Sequence, residues 1–347
     1  MATYKRQRYL FMTLDPVHIG TGGYRLGRVD NSIVREPGTK IPKIPGTSLH
    51  GAARSYAAQL YETPEAAGQN HNKVPGNIQD NPVCYTFGYI KNNDIYSGVV
   101  NIFDAHILLF PVHSMVGAVW VSTRERLKDA GFENLPDDWD NVETIVLTWD
   151  KPDKRLNLGW LMLNVAETKA EIEAPSQWKD EPRYKAINRI VIVKDALFSQ
   201  VVNSNLEVRT SVAINPETGA ADEGALFTYE AIPRATFLTA DVVLDDYRSG
   251  EKGWSLGEIK ETGKLKEDGT KNPLPGGAWQ CPLCVVKSSL KMIEWLGVGG
   301  MGTRGFGRMA MIGDPKTVEI EELFNPSQSN QKTSSGSSIE TTKGGQA

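Results

Sequence analysis

The chain's 347 residues can hold one large domain with insertions or two domains, and its 40% hydrophobic content is ample for a core. No apolar run approaches a membrane span, no signal-type run follows the N-terminal Lys5, Arg6 and Arg8, and three cysteines, an odd number, speak for a reducing cytoplasm rather than a disulfide scaffold. The net charge of −4 hides a split, since residues 1–54 carry +6 and the remainder −10, so a local surface for phosphate is compatible with an acidic total.

In chain order, residues 4–14 read as a strand, and the Gly- and Pro-rich stretch 15–45 contains a strand-like piece at 32–34. Gly46-Thr47-Ser48 opens a helix to about residue 61, with Thr47 or Ser48 as N-cap. From 62 to 98 the composition turns polar, which predicts a long surface insertion. Runs 99–110 and 116–123 read as strands, with a turn at Pro111-Val112-His113-Ser114. The stretch 124–187 mixes charged helical pieces and short strands. Strands follow at 189–193, 196–202 and 236–244, and 214–224 is the polar tip of a protruding hairpin. A helix at 282–296 and a strand at 308–312 close the fold, and the low-complexity sequence after 326 predicts disorder. The outline is α+β, a βαββαβ ferredoxin-like sheet of the kind that underlies RNA-recognition modules.

Between that last helix and strand lie six glycines in residues 297–307. The order of helix, loop and strand is the reverse of a P-loop, and no Lys-Ser/Thr pair closes it, so no nucleotide cofactor is expected. Gly299, Gly300 and Gly302 can let a backbone approach a ligand closely, and Arg304 inside the loop adds a guanidinium suited to a sugar-phosphate chain. The first helix offers a second phosphate seat in Thr47 and Ser48, flanked by Lys43 and Arg54. A tight connection and an ordinary capped helix would read alike. Asp30 lies between Arg28 and Arg35, where an isolated Asp would simply form a turn. Cys281-Pro-Leu-Cys284 is a single CxxC without the further ligands that a zinc ribbon needs, so no zinc is expected.

The strings HIGTGGYRLGRVDNSIVRE (18–36), IPKIPGTSLHGAARSYA (41–57), FDAHILLFPVHSMVGAVWVST (103–123), GALFTYEAIP (224–233) and GVGGMGTRGFGRM (297–309) together resemble the RAMP superfamily of CRISPR proteins, and more narrowly the repeated backbone subunit of type III-B (Cmr-type) effector complexes. The resemblance implies one RAMP domain over 1–326 with an RRM-like palm, finger insertions at 62–98 and 124–187, a hairpin thumb near 205–230, and a disordered tail at 327–347. Its implied partners are a guide RNA, target RNA, further copies of the chain and other subunits of the complex, in a prokaryotic cytoplasm. Asp30 matches the family's target-cleaving aspartate, acting as base for a 2′-hydroxyl or as ligand for a divalent ion, Mg2+ or Mn2+. His18 matches a histidine near that site, and Tyr229 and Glu230 resemble a downstream Tyr/Glu pair. The chain departs from the pattern at His50 and His113, which stand where the family carries Lys and Arg, groups charged at every physiological pH. Two neighbouring readings remain at this stage, a noncatalytic guide-binding scaffold and a transcript-processing endonuclease dependent on His18.

Overall fold

The computed structural model describes residues 3–22, 29–68, 70–150, 153–248 and 253–319. The tail expected at 327–347 and the basic residues Arg25 and Arg28 lie outside the described residues. Four antiparallel strands form the centre. Met309–Met311 borders Thr3–Thr13, which borders Phe237–Asp246, which borders Ala105–Ser114. In chain order these are strands four, one, three and two, as a split βαβ unit requires. Strand Thr3–Thr13 alternates strictly. Tyr9 and Phe11 enter the core cluster shared with the helices Gly46–Leu60 and Pro282–Lys291, while Leu10 packs into a second cluster on the other face. The first helix turns Leu49, Ala53, Ala57 and Leu60 inward at helical spacing, and its alanines let it lie close to Pro282–Lys291.

The sheet continues beyond Ala105–Ser114 through Gly117–Thr123, Ile190–Val193, Thr144–Leu147, Leu161–Val165 and Arg155–Leu158. Two of these junctions are parallel, Ile190–Val193 on Gly117–Thr123 and Leu161–Val165 on Thr144–Leu147. The insertion 124–187 thus extends the same sheet.

Several local expectations are corrected. Residues 196–202 are not a strand but lie in the helix Asp195–Ser204, which buries Phe198, Val201 and Val202, the i, i+3, i+4 face of a helix. The turn expected at 111–114 is strand, and the real turn is Met115-Val116, two residues between Ser114 and Gly117. The stretch 62–98 is not a loose loop. It folds into short helical turns, a wholly buried helix Pro82–Phe87 and a hairpin of Gly88–Lys91 with Asp94–Ser97. Residues 32–34 form only isolated bridges, and the helix expected at 282–296 breaks at Met292 into Pro282–Lys291 and Ile293–Leu296. The hairpin expected around 214–224 is present, made of Glu207–Ile214 and Ala221–Ala231. No helix among the described residues is long and apolar enough to cross a membrane.

Candidate functional site

The site is built on the outer edge of the hairpin strand Ala221–Ala231, the edge that does not face Glu207–Ile214. A free strand edge presents unpaired N–H and C=O groups. Here Val17, His18, Asp30 and Asn31 take them one by one. The Thr228 carbonyl accepts from Asn31 N–H at 3.0 Å, Glu230 N–H donates to the Asn31 carbonyl at 3.0 Å, and Ile232 N–H donates to the Val17 carbonyl at 2.9 Å. The Glu230 carbonyl lies 2.6 Å from His18 Nδ1, so that nitrogen carries the proton. The remaining edge donor, Thr228 N–H, points at Asp30 Oδ2, 2.7 Å away, and the Thr228 hydroxyl donates to the same oxygen at 2.9 Å.

Asp30 is exposed, and the Thr228 N–H, then its hydroxyl, hold the carboxyl below the usual aspartate range. None of the hydrogen bonds between described residues uses Oδ1. His18, Tyr229 and Glu230 lie immediately behind and are buried. Tyr229 meets His18 and Phe306 edge-on, and its hydroxyl lies 3.1 Å from Ser211 Oγ. Glu230 pairs with Arg35 at 2.7 Å. Arg35 also reaches Asn203 Oδ1 and the Ile33 carbonyl, so it staples the 29–36 segment rather than facing solvent.

The glycine loop closes the third side. Gly300 N–H donates to the His18 carbonyl and Gly307 N–H to the Pro16 carbonyl, both at 2.9 Å. Gly299 has φ +87, and a Cβ there would strike the Ile19 side chain and stand 2.6 Å from the His18 carbonyl. This glycine serves the chain's own packing as much as any ligand. Met301 takes a left-handed φ of 65°, held by its packing against Tyr229, Ala231 and Phe306. Gly302 and Arg304 are exposed at the rim, with the Arg304 guanidinium 5.9 Å from the Phe227 ring, and Arg209 lies 4.8 Å over Phe306.

The phosphate seat expected at the first helix is not joined to this group, and the chain fills it itself. The helix starts after Pro45 with no side-chain cap, so neither Thr47 nor Ser48 caps it. The Asp104 carboxylate accepts the Gly46 N–H at 2.7 Å, and a Cβ on Gly46 would collide with the Ile102 carbonyl, so the helix start is pressed against 102–104. Lys43 is clamped between Asp104 at 2.6 Å and Glu36 at 2.8 Å, which raises its pKa. Glu36, Asp104 and His106 are the one set among the described residues with metal-ligand spacing, and the Lys43 ammonium already pairs with both of its carboxylates. Arg54 is turned inward. It donates to the carbonyls of Ala66 at 2.9 Å, Phe87 at 3.2 Å and Gly88 at 2.9 Å, and lies 2.5 Å from His71 Nε2. His50 packs edge-on against Phe87, and burial, then Arg54, lowers its pKa. Exposed His113 lies in Ala105–Ser114, away from this helix.

Of the residues expected from sequence, the fold therefore gathers Asp30, His18, Tyr229, Glu230, Gly299, Gly300, Gly302 and Arg304. It sets apart Lys43, Thr47, Ser48 and Arg54. The residue missed is Thr228. It stands next to Tyr229 in the chain, but nothing in sequence signals a strand edge that receives a carboxylate 198 residues away.

A family model described as the RAMP superfamily matches residues 10–310. In sequence the chain is similar to the CRISPR system Cmr endoribonuclease Cmr4 of Pyrococcus furiosus, 28% identical over 270 residues, or 73% of this chain and 85% of that protein. In structure it is similar to a chain of the type III-B Cmr-beta complex in the apo state, with TM-score 0.55, 15% identity, and coverage of 88% of this chain and 96% of that one. It is also similar to a chain of the Cmr-beta complex bound to cognate target RNA, with TM-score 0.53 and the same identity and coverage. At such identity these likenesses speak for the fold alone.

Proposed function

The chain belongs to the RAMP superfamily, and from that premise we propose that it is the backbone subunit of a type III-B CRISPR ribonucleoprotein, lining up in copies along a guide RNA and cutting the paired target RNA at Asp30. The observation that carries this reading is an exposed carboxylate, fixed by one oxygen and with the other taking no hydrogen bond from a described residue, between a protruding hairpin and a glycine loop rimmed by Arg304. The relative named as a Cmr endoribonuclease supports it. The hairpin exposes Val208, Val212, Ile214 and Leu226, an apolar blade that suits a thumb parting stacked bases.

Cutting is transesterification. The target's own 2′-hydroxyl attacks the adjacent phosphorus in line, leaving a 2′,3′-cyclic phosphate and a 5′-hydroxyl, and the protein's part is geometry and charge. The open oxygen of Asp30 takes the 2′-hydroxyl proton or holds a divalent ion. Glu230 is committed to Arg35, so among the described residues gathered here Asp30 Oδ1 is the carboxylate oxygen on offer. That fits Mg2+ or Mn2+, which take their remaining ligands from phosphate and water, and when bound the ion would neutralise charge at the scissile phosphate. His18, Tyr229 and Glu230 are buried supports that hold the 17–31 segment on the hairpin. Arg304 and Gly302 meet the RNA backbone.

Asp30→Asn in the guide-loaded assembly tests the reading. It keeps size and hydrogen bonding but removes the charge that either role requires. Target cutting should fall by at least about 100-fold, guide binding should persist, and a 2′-deoxy nucleotide at the cut site should block the wild-type reaction. Divalent-dependent cutting at the wild-type rate by the Asn variant would reject it.

A further inference from the structure

We infer that Thr228 is a positioning residue for target cutting, one that locks the aim of the Asp30 carboxylate to the seating of the hairpin. The inference rests on the reading of Asp30 as the cutting group.

Asp30 is exposed and sits in a loop, where an aspartate side chain would ordinarily sample several rotamers. Three hydrogen bonds to one residue remove that freedom. Thr228 N–H and Oγ1–H both donate to Oδ2, at 2.7 and 2.9 Å, and Asp30 N–H donates back to Thr228 Oγ1 at 3.1 Å. The reciprocity fixes the direction of the hydroxyl. An Oγ1 lone pair receives the Asp30 amide, so its one hydrogen is free for the carboxylate. The result is a carboxylate with one oxygen held by Thr228 and the other bonded to no described residue. Because Thr228 belongs to the strand Ala221–Ala231, any rotation of the hairpin carries the carboxylate with it. A hairpin seated in a guide–target duplex would then aim Asp30, and an unseated one would not. The same bonds lower the carboxyl's pKa, the Thr228 N–H contributing most and the hydroxyl next.

The substitution that isolates the hydroxyl is Thr228→Val, which keeps the β-branched shape suited to a strand and the backbone N–H. Thr228→Ser restores the hydroxyl without the methyl. In the guide-loaded assembly Thr228→Val should cut target about ten-fold more slowly, the cost of one hydrogen bond to a charged group, with guide binding unchanged, and Thr228→Ser should return to within about two-fold of wild type. A second readout is the carboxyl titration of Asp30 in the full-length chain, followed by 13C NMR with Asp30→Asn for assignment. The depressed midpoint should rise towards the ordinary aspartate value in Thr228→Val and fall back in Thr228→Ser. Equal loss of rate in Val and Ser would mean packing rather than the hydroxyl and would overturn the inference, as would a wild-type rate and midpoint in Val. If Asp30→Asn is dead while Thr228→Val is indistinguishable from wild type, the positioning role alone fails. If Asp30→Asn still cuts at the wild-type rate, the reading beneath it fails.

Discussion

Arg54 separates a phosphate contact from a structural clasp. On sequence it is a cation near the start of a helix, and its loss would be expected to weaken RNA binding. In the fold its guanidinium faces the protein and ties the short turn Pro64–Ala66, the turn His71–Lys73 and the end of Pro82–Phe87 to the first helix. Arg54→Ala strands three carbonyls, those of Ala66, Phe87 and Gly88. At about 1 kcal/mol for each bond lost, the variant should be about 3 kcal/mol less stable. For a chain of this size that is a fall in Tm of roughly 4 °C. Arg54→Lys should recover little, because a point charge cannot span three carbonyls in the plane of a fork. The measurement is a thermal melt by circular dichroism, run beside Arg304→Ala, whose side chain sits on the exposed rim. Arg304→Ala should melt with wild type yet bind RNA more weakly, with a shallower salt dependence. If Arg54→Ala melts within a degree of wild type and loses RNA affinity as Arg304→Ala does, the inward clasp is wrong.

Two further outcomes follow from the site's packing and from the cysteine pair. Gly299→Ala must fit a Cβ against the His18 carbonyl at a left-handed φ and should cost about 1–3 kcal/mol. Gly302→Ala meets open space and should melt within about 0.5 kcal/mol of wild type; equal melting temperatures for the two would refute the close approach. The Cys281 and Cys284 sulfurs are 3.1 Å apart, and the Cys281 S–H that Cys284 accepts lowers the pKa of the Cys284 thiol. Because the thiolate is the reactive form, iodoacetamide labelling of Cys284 should rise through a midpoint below that of an ordinary thiol. In Cys281→Ala the midpoint should move up towards the ordinary thiol value of about 8.5. An unmoved midpoint would show that the pair does not share its proton.

What the sequence made legible is what short-range pattern encodes. The passage from basic to apolar residues in Thr3–Thr13, the Ala-rich interior of Gly46–Leu60 and the polar tip at 214–224 each identify their own element. The misreadings have physical causes. Val201 and Val202 are strand formers locally, yet together with Phe198 they make the buried face of a helix, and tertiary packing decided between the two. Pro111 suggested a turn, but it lies where Ala105–Ser114 has run past the pairing of Leu109 with Phe237, so its missing N–H costs no bond to that neighbour. The basic residues were legible as charges and illegible as directions. Lys43 and Arg54 belong to internal clasps, while Arg304 faces outward, and no local rule separates them.

The residues of the site were named through the family resemblance, but their hydrogen bonds could not be read from local pattern, because they join segments far apart in the chain. Asp30 is aimed by Thr228, His18 is held by the Glu230 carbonyl and roofed by Gly300, and Phe306 packs on Tyr229. Each support lies about 200 residues or more from the first segment or about 75 from the hairpin, so all of them are long-range contacts that local pattern does not encode. The edge of Ala221–Ala231 would otherwise be an open ladder, and the groups that blunt it are those that present the carboxylate. Protecting the hairpin's edge and building the proposed cutting site are therefore one set of hydrogen bonds. A substitution that unseats residues 17–31 loses both together, so at this edge the pressure to keep the strand covered and the pressure to keep the carboxylate aimed fall on the same atoms.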